Sequence, residues 1–193
     1  MTCALVLAAG EGSRFGGSGK LLADLGGRPV VAWAVDAACA SSADRVVVVV
    51  GSRGEAVRAA VPPGRAEVVE CVDWADGMSA SLRCGVQACG DAAWVVVVLA
   101  DGPGVTAAMI DAVLAATDPS VEAVRPMRGG RPAHPVALGR PLLRRVGELR
   151  GDAGARELLR DAVVLELDAS GWADVGDVDT PEALDAFRTR FEA

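Results

Sequence analysis

Two stretches of the chain are almost pure valine: "RVVVVVG" at 45–51 and "WVVVVLA" at 94–100. Valine loses side-chain freedom in a helix and packs well on a pleated surface, so both runs favour strands. Neither run alternates with polar residues. A strand that is apolar on both sides must be covered on both faces, as in a parallel sheet held between helices. Five more short apolar runs read as strands: "CALVLAA", "AEVVECV", "EAVRPM", "HPVALG" and "VVLELD".

Helical patterns separate these runs. "RPVVAWAVDAACAS" carries Pro29 near its first turn, and "GEAVRAAV" is short. "GMSASLRCGVQAC" and "VTAAMIDAVLAAT" are Ala-rich and amphipathic. "RPLLRRVGEL" and "GARELLRDA" form a late pair, and "DTPEALDAFRTRF" opens with a cap signal. Strand–helix alternation of this kind predicts an α/β fold with a doubly wound, mostly parallel sheet and helices on both faces. "VPPGRAE" and "MRGGRPAHP" read as loops rather than boundaries. With no linker or internal repeat, one domain over residues 1–193 is expected.

Composition removes several function classes. Net charge is −7, and counterion release on nucleic acid or an anionic membrane needs clustered Lys and Arg, so neither partner is expected. The apolar runs are too short and interrupted to span a bilayer. "MTCALVLAAGEG" has no basic segment before its apolar run, so it reads as a strand and not as a signal peptide; cytoplasm is the expected compartment. The five Cys show no CxxC pair and the chain has one His, which argues against a zinc cluster. Buried free thiols in a reducing compartment are the expectation.

Ligands of doubly wound sheets sit beyond the carboxyl ends of the strands. Three places qualify: residues 9–20, Asp101, and residues 177–179. The first holds "LAAGEGSRFGGSGK", with five glycines and the chain's single lysine, Lys20. It misses the Walker A pattern, because Arg14 stands where the first Gly belongs and Leu21 follows Lys20 in place of a hydroxyl residue. It misses the dinucleotide fingerprint too, since Phe15 replaces the third Gly and "RVVVVVGS" ends without an acidic residue. A third kind of phosphate cradle remains. Gly10 and Gly12 let backbone amides approach phosphate oxygens, Arg14 can grip phosphate bidentately, and Lys20 can place a point charge at the α-phosphate.

"LVLAAGEGSRFGGSGK" resembles the signature of the MobA/MocA-like nucleotidyltransferases. "DWADGMSASLRCGV", "VVVLADGPGVTAAMIDAV", "RPAHPVALGRPLL", "GDAGARELL" and "VGDVDTPEAL" resemble that family's later segments, in order and over nearly the whole chain. Two departures stand out: Gly102 replaces the family's Gln, and Ala133 replaces the Gly before His134. The resemblance implies a Rossmann-like nucleotidyltransferase fold. It also implies Mg²⁺-dependent transfer of a nucleoside monophosphate from an NTP to a phosphorylated acceptor, with pyrophosphate leaving. "LAAG" and "DGMSASL" resemble the cytidylyl branch, so CTP is the favoured donor and Ala9 the residue that narrows the base site. Molybdopterin cofactor is the leading acceptor, with delivery to a molybdoenzyme or its chaperone.

Site expectations follow. Arg14, Lys20 and Asp101 are the catalytic candidates. Leu7, Ala8, Ala9, Gly10, Gly12, Arg14, Lys20, Asp73, Ser79 and Ser81 are the nucleotide-binding candidates. Asp101 resembles the family's Mg²⁺ ligand, and carboxylates are the hard donors Mg²⁺ takes. Asp177 is preferred as the second ligand, because Asp179 or Thr180 suits the cap of the last helix. His134 is the acceptor-binding candidate, with a structural histidine holding a hydrogen bond as its other reading. Ser79 and Ser81 also read as caps, Asp73 as a strand end, and Trp74 as stacking surface or, preferably, core. Competing functions are a cytidylyltransferase for another phosphorylated metabolite such as methylerythritol phosphate, and a non-catalytic nucleotide- or cofactor-binding delivery protein. The first is weakened because "KLLADLGGRPVVAW" lacks the Gln-Thr-Pro-Gln segment of that family.

Overall fold

Every valine-rich run folds as a strand. The structure, a computed structural model, describes residues 1–12, 15, 19–173 and 176–191. The strands are β1 (Thr2–Ala8), β2 (Asp24–Leu25), β3 (Arg28–Pro29), β4 (Arg45–Val50), β5 (Ala66–Glu70), β6 (Trp94–Leu99), β7 (Ala123–Arg128), β8 (Arg131–Pro132), β9 (Val136–Gly139) and β10 (Val164–Asp168). The main sheet runs β10-β7-β9-β6-β1-β4-β5, with β8 paired to β7. β1 pairs in parallel with both β4 and β6, and only β9 and β8 run against their neighbours. The expected mostly parallel sheet is present.

The helices are α1 (Val30–Ala40), α2 (Gly54–Ala60), α3 (Met78–Ala88), α4 (Ala107–Ala115), α5 (Arg140–Arg145), α6 (Ala155–Leu158) and α7 (Pro181–Phe191). They cover both faces. Ala4, Val6 and Ala8 of β1 pack with Val31 and Val35 of α1 and Ile110 of α4. Cys3 and Leu5, on the other side of the pleat, pack with Leu82 of α3, Leu142 of α5 and Leu158 of α6. This two-sided burial is why the runs carry no polar alternation. Gly85 brings α3 close to the sheet: a Cβ there would lie 2.4 Å from Leu5 Cδ1.

Three expectations shift. "MRGGRP" is not a loop but the β7–β8 hairpin, with Gly129 and Gly130 at positive φ in its two-residue turn. "GARELLRDA" yields one helical turn, α6. The short hairpin β2–β3 was not foreseen; it packs with α7 through Leu25, Leu184 and Phe187. All five cysteines are free, and Cys3, Cys71 and Cys89 are buried as expected. No helix among the described residues is long and apolar enough to cross a membrane.

From central β1 the chain winds outward through β4 to β5, then crosses back to β6 on the other side of β1. The carboxyl ends of β1 and β6 therefore form the crevice where such folds take ligands.

Candidate active site

Lys20 reaches across this crevice. It opens a 3-10 turn (Lys20–Leu22), and its stem passes Gly12, which sits at φ +62°; a Cβ on Gly12 would come within 3.0 Å of Lys20 Cγ. The glycine is needed both for its backbone and for the room it leaves. The Lys20 ammonium bonds Asp101 Oδ2 and, at 2.7 Å, Asp179 Oδ1. Burial alone pulls its pKa down, but the two carboxylates outweigh that, and it lies above the ordinary lysine value. Lys20 is charged here.

Asp101 follows β6, as its position after four valines predicts. Its carbonyl accepts from Val178 N at 2.8 Å, which stitches the 177–179 segment to the end of β6. Thr180 Oγ1 accepts from Ala183 N at 3.2 Å and so takes the cap of α7. That leaves Asp179 for Lys20. Asp179 and Asp101 converge on the Lys20 ammonium, while Asp177, the expected second ligand, lies beside Gly102, its Oδ1 3.8 Å from where a Cβ on that glycine would sit.

Two cavities open on either side of the β6 carboxyl end, and Leu99 lines both. The first, of about 340 Å³, is lined by Leu7, Ala9, Gly10, Gly12, Lys20, Trp74, Ser81 and Asp101. It gathers most of the predicted nucleotide residues. Arg14 lies outside the described residues. Ala8 does not join the cavity lining; its side chain packs in the core on the other face of β1. Asp73 is exposed, at the start of the 3-10 turn Trp74–Asp76, and also stays out of the lining. Ser79 is fully buried. Its hydroxyl accepts from Arg83 Nη1 at 3.1 Å, and its amide donates to Gly151 O at 3.0 Å, so it anchors the loop that brings in Asp152. No side chain caps α3, so neither serine is a cap.

Trp74 is half-buried against the core and lines the cavity too. Gly51 allows this, because a Cβ there would sit 2.5 Å from Trp74 Cβ and 2.9 Å from Ala9 Cβ. Sequence reasoning missed Glu11 and Asp152, which also line this cavity. Among the described residues Lys20 is its one basic lining group, against Glu11, Asp101 and Asp152. An anionic triphosphate needs more positive charge than that. Asp101 and Asp179 already converge on a cation, so their donor chemistry fits a hard divalent ion completed by phosphate oxygens. Among the described residues no cluster of three or more His, Cys, Asp or Glu offers a metal site by protein ligands alone.

The second cavity, of about 310 Å³, is lined by Gly102, Arg128, Arg131, His134 and Asp177 among others. His134 therefore lines a different cavity from the one that the Gly-rich loop and Asp101 line. Burial lowers its pKa, and Asp101 only partly opposes this, so the ring is held neutral. Its Nδ1 is buried without a hydrogen-bond partner among the described residues. A Cβ on Gly102 would make ordinary contacts, 3.5 Å to Leu99 O, so its missing side chain widens this cavity.

Residues 4–168 match the MobA-like NTP transferase domain. The chain belongs to that family. A nucleotidyl transferase from Methanothermobacter thermautotroptrophicus superposes with a TM-score of 0.87 at 25% identity, covering 100% of this chain and 98% of that one. Rv0371c from Mycobacterium tuberculosis H37Rv, in complex with manganese, gives 0.79 at 25% identity over 97% and 98%. Nicotine blue oxidoreductase of Paenarthrobacter nicotinovorans is 32% identical over 193 residues, 93% of each chain.

Proposed function

We propose that this family member acts as one nucleotidyltransferase domain in the cytoplasm and transfers CMP from CTP to a phosphorylated acceptor, with molybdopterin cofactor as the leading acceptor. The observation that carries this reading is the Lys20–Asp101–Asp179 cluster at the divide between two cavities. One cavity contains the Gly-rich loop, the other His134 and two arginines. In-line transfer needs that arrangement: donor and acceptor on opposite sides of the reacting phosphorus.

An acceptor phosphate oxygen attacks the α-phosphorus, and the bond to the bridging oxygen of the β-phosphate breaks. Pyrophosphate leaves with the electron pair. The chain supplies position and charge and no covalent intermediate. Gly10 and Gly12 present backbone to the triphosphate, and Arg14 grips it. Lys20 turns from its two carboxylates to the α-phosphate. Ala9, braced by Trp74 and Gly51, narrows the base site toward a pyrimidine. Asp101 with Asp179, rather than Asp177, would hold Mg²⁺. When bound, that ion supplies charge neutralisation and a fixed template for the phosphates. His134 stays neutral and faces the acceptor.

The test is pyrophosphate release with Mg²⁺, each of the four NTPs and a panel of phosphorylated acceptors, including molybdopterin and methylerythritol phosphate. CTP-dependent release is expected. Release with GTP but not CTP overturns the base assignment, and nucleotide binding without release favours a delivery protein. The Paenarthrobacter relative, by its name an oxidoreductase, supports a second reading, an oxidoreductase activity for this chain. A parallel arm following NADH and NADPH oxidation separates the two.

A further inference from the structure

The β7–β8 hairpin sets two positive charges against each other at the edge of a cavity. Its turn is Gly129–Gly130, with φ of 56° and 73°. That two-residue turn fixes the register and sets Arg128 directly opposite Arg131. Like charges directly opposite each other across two strands are destabilising. Arg131 makes no hydrogen bond or ion pair among the described residues. Both arginines nevertheless line the acceptor-side cavity, in a chain whose net charge is −7.

The other groups of that cavity narrow the choice of ligand. Asp177 lines it with a carboxylate. His134 is held neutral by burial, so the positive charge available to a ligand comes from the hairpin. Two guanidiniums side by side present several N–H donors in planar forks. That matches the three terminal oxygens of a phosphate better than a single lysine would.

We propose that Arg128 and Arg131 form a clamp for a phosphate monoester group of the acceptor, and so select which acceptors the site takes. The clamp deepens the transfer reading and rests on it for the word acceptor, though not for the binding itself. The like-charge pairing of the two arginines across the hairpin costs stability that a bound dianion offsets.

Phenyl phosphate is the probe, with benzoate and phenol as controls, titrated by calorimetry into the full chain with and without saturating Mg²⁺ and the α,β-methylene analogue of CTP. Wild type should bind phenyl phosphate at least tenfold more tightly than benzoate, and phenol not measurably. Arg131→Gln and Arg128→Gln should each weaken phenyl phosphate about tenfold, with Arg131→Lys recovering part of the loss. Affinity for the nucleotide analogue should stay within twofold. Arg131→Gln should melt no lower than wild type, because it removes a like-charge pair; a lower melting temperature makes Arg131 structural and overturns the clamp. Phenyl phosphate affinity that is absent in wild type, indifferent to both arginines or exceeded by benzoate overturns it as well. If the analogue fails to bind while arginine-dependent phosphate binding persists, the transfer reading fails and the clamp stands. If the analogue binds and the arginines do not matter, the clamp fails alone.

Discussion

Adding one methyl group at Gly51 should damage both stability and the nucleotide cavity. A Cβ there would lie 2.5 Å from Trp74 Cβ, 2.7 Å from Trp74 Cγ and 2.9 Å from Ala9 Cβ. None of these atoms is the free end of a flexible side chain, so rotamer changes cannot relieve the contact. The backbone must move, yet the Ser52 amide is tied to Ala9 O at 3.0 Å and the Cys71 amide to Val50 O at 2.8 Å. Overpacking of a closed site costs roughly 1–3 kcal/mol, and Gly→Ala returns about 0.4–1 kcal/mol through the unfolded chain. A net loss of ~1.5 kcal/mol corresponds to a melting temperature about 3–6 °C lower for a chain of this size. Gly51 is not among the positive-φ glycines, so steric contact alone is at work. Scanning calorimetry of Gly51→Ala reads the loss, and titration with the nucleotide analogue should show weakened binding as Trp74 and Ala9 are pushed apart. A variant that melts within 1 °C of wild type and binds nucleotide equally well would refute the close packing of Gly51, Ala9 and Trp74.

On the proposed transfer, in which charge placed at the reacting phosphate is the main catalytic resource, Lys20→Ala and Asp101→Asn should each lower pyrophosphate release by roughly a thousandfold or more; a rate near wild type for either removes the cluster from the mechanism. Asp179→Asn should weaken Mn²⁺ binding measured by electron paramagnetic resonance more than Asp177→Asn does; the reverse order restores Asp177 as the second ligand. Arg65 donates to the carbonyls of Ala38, Cys39, Ser41 and Ala43 and closes the end of α1. Arg65→Ala should cost ~2 kcal/mol in urea unfolding with no change in nucleotide affinity. His134 has a folded pKa below its ordinary 6.5, so the unfolded chain takes up the proton first. Its contribution to stability is complete above about pH 6.5 and is lost as pH falls toward the folded value. Wild type should therefore lose more stability than His134→Gln over that interval, and parallel curves would show that the ring titrates normally.

The strands and the crevice were legible because the signals are local and chemically strong. Continuous valine announces a strand buried on both faces, and the near misses to two other phosphate loops narrowed what 7–20 could be. The hairpin at 128–131 was also written in the sequence, since Gly-Gly between arginines is a two-residue turn signal. An Arg-rich polar stretch without apolar alternation reads as a loop by its composition, which outweighs that turn signal. Gly51, by contrast, left no signal: its role depends on Trp74 and Ala9 arriving from other elements.

The assignment of residues 177–180 shows what a sequence can and cannot decide. Asp and Thr both make good helix caps, so "DVDTP" offers two candidates for one position. Placing Asp179 at the cap leaves Asp177 as a ligand, and placing Thr180 there leaves Asp179. Only the hydrogen bond from Ala183 N to Thr180 Oγ1 separates these cases. Once Thr180 holds the cap, the Val178 amide on Asp101 O fixes the segment against β6, and Asp179 meets Lys20. A hydroxyl that satisfies a helix end thus frees a carboxylate to meet the Lys20 ammonium. Removing it should be felt there: Thr180→Val ought to draw Asp179 toward the uncapped amides and weaken Mn²⁺ binding without touching either carboxylate. Thr180→Ser, which keeps the cap, should leave the metal affinity as it was. Equal affinities in Thr180→Val and wild type would uncouple the cap from the site.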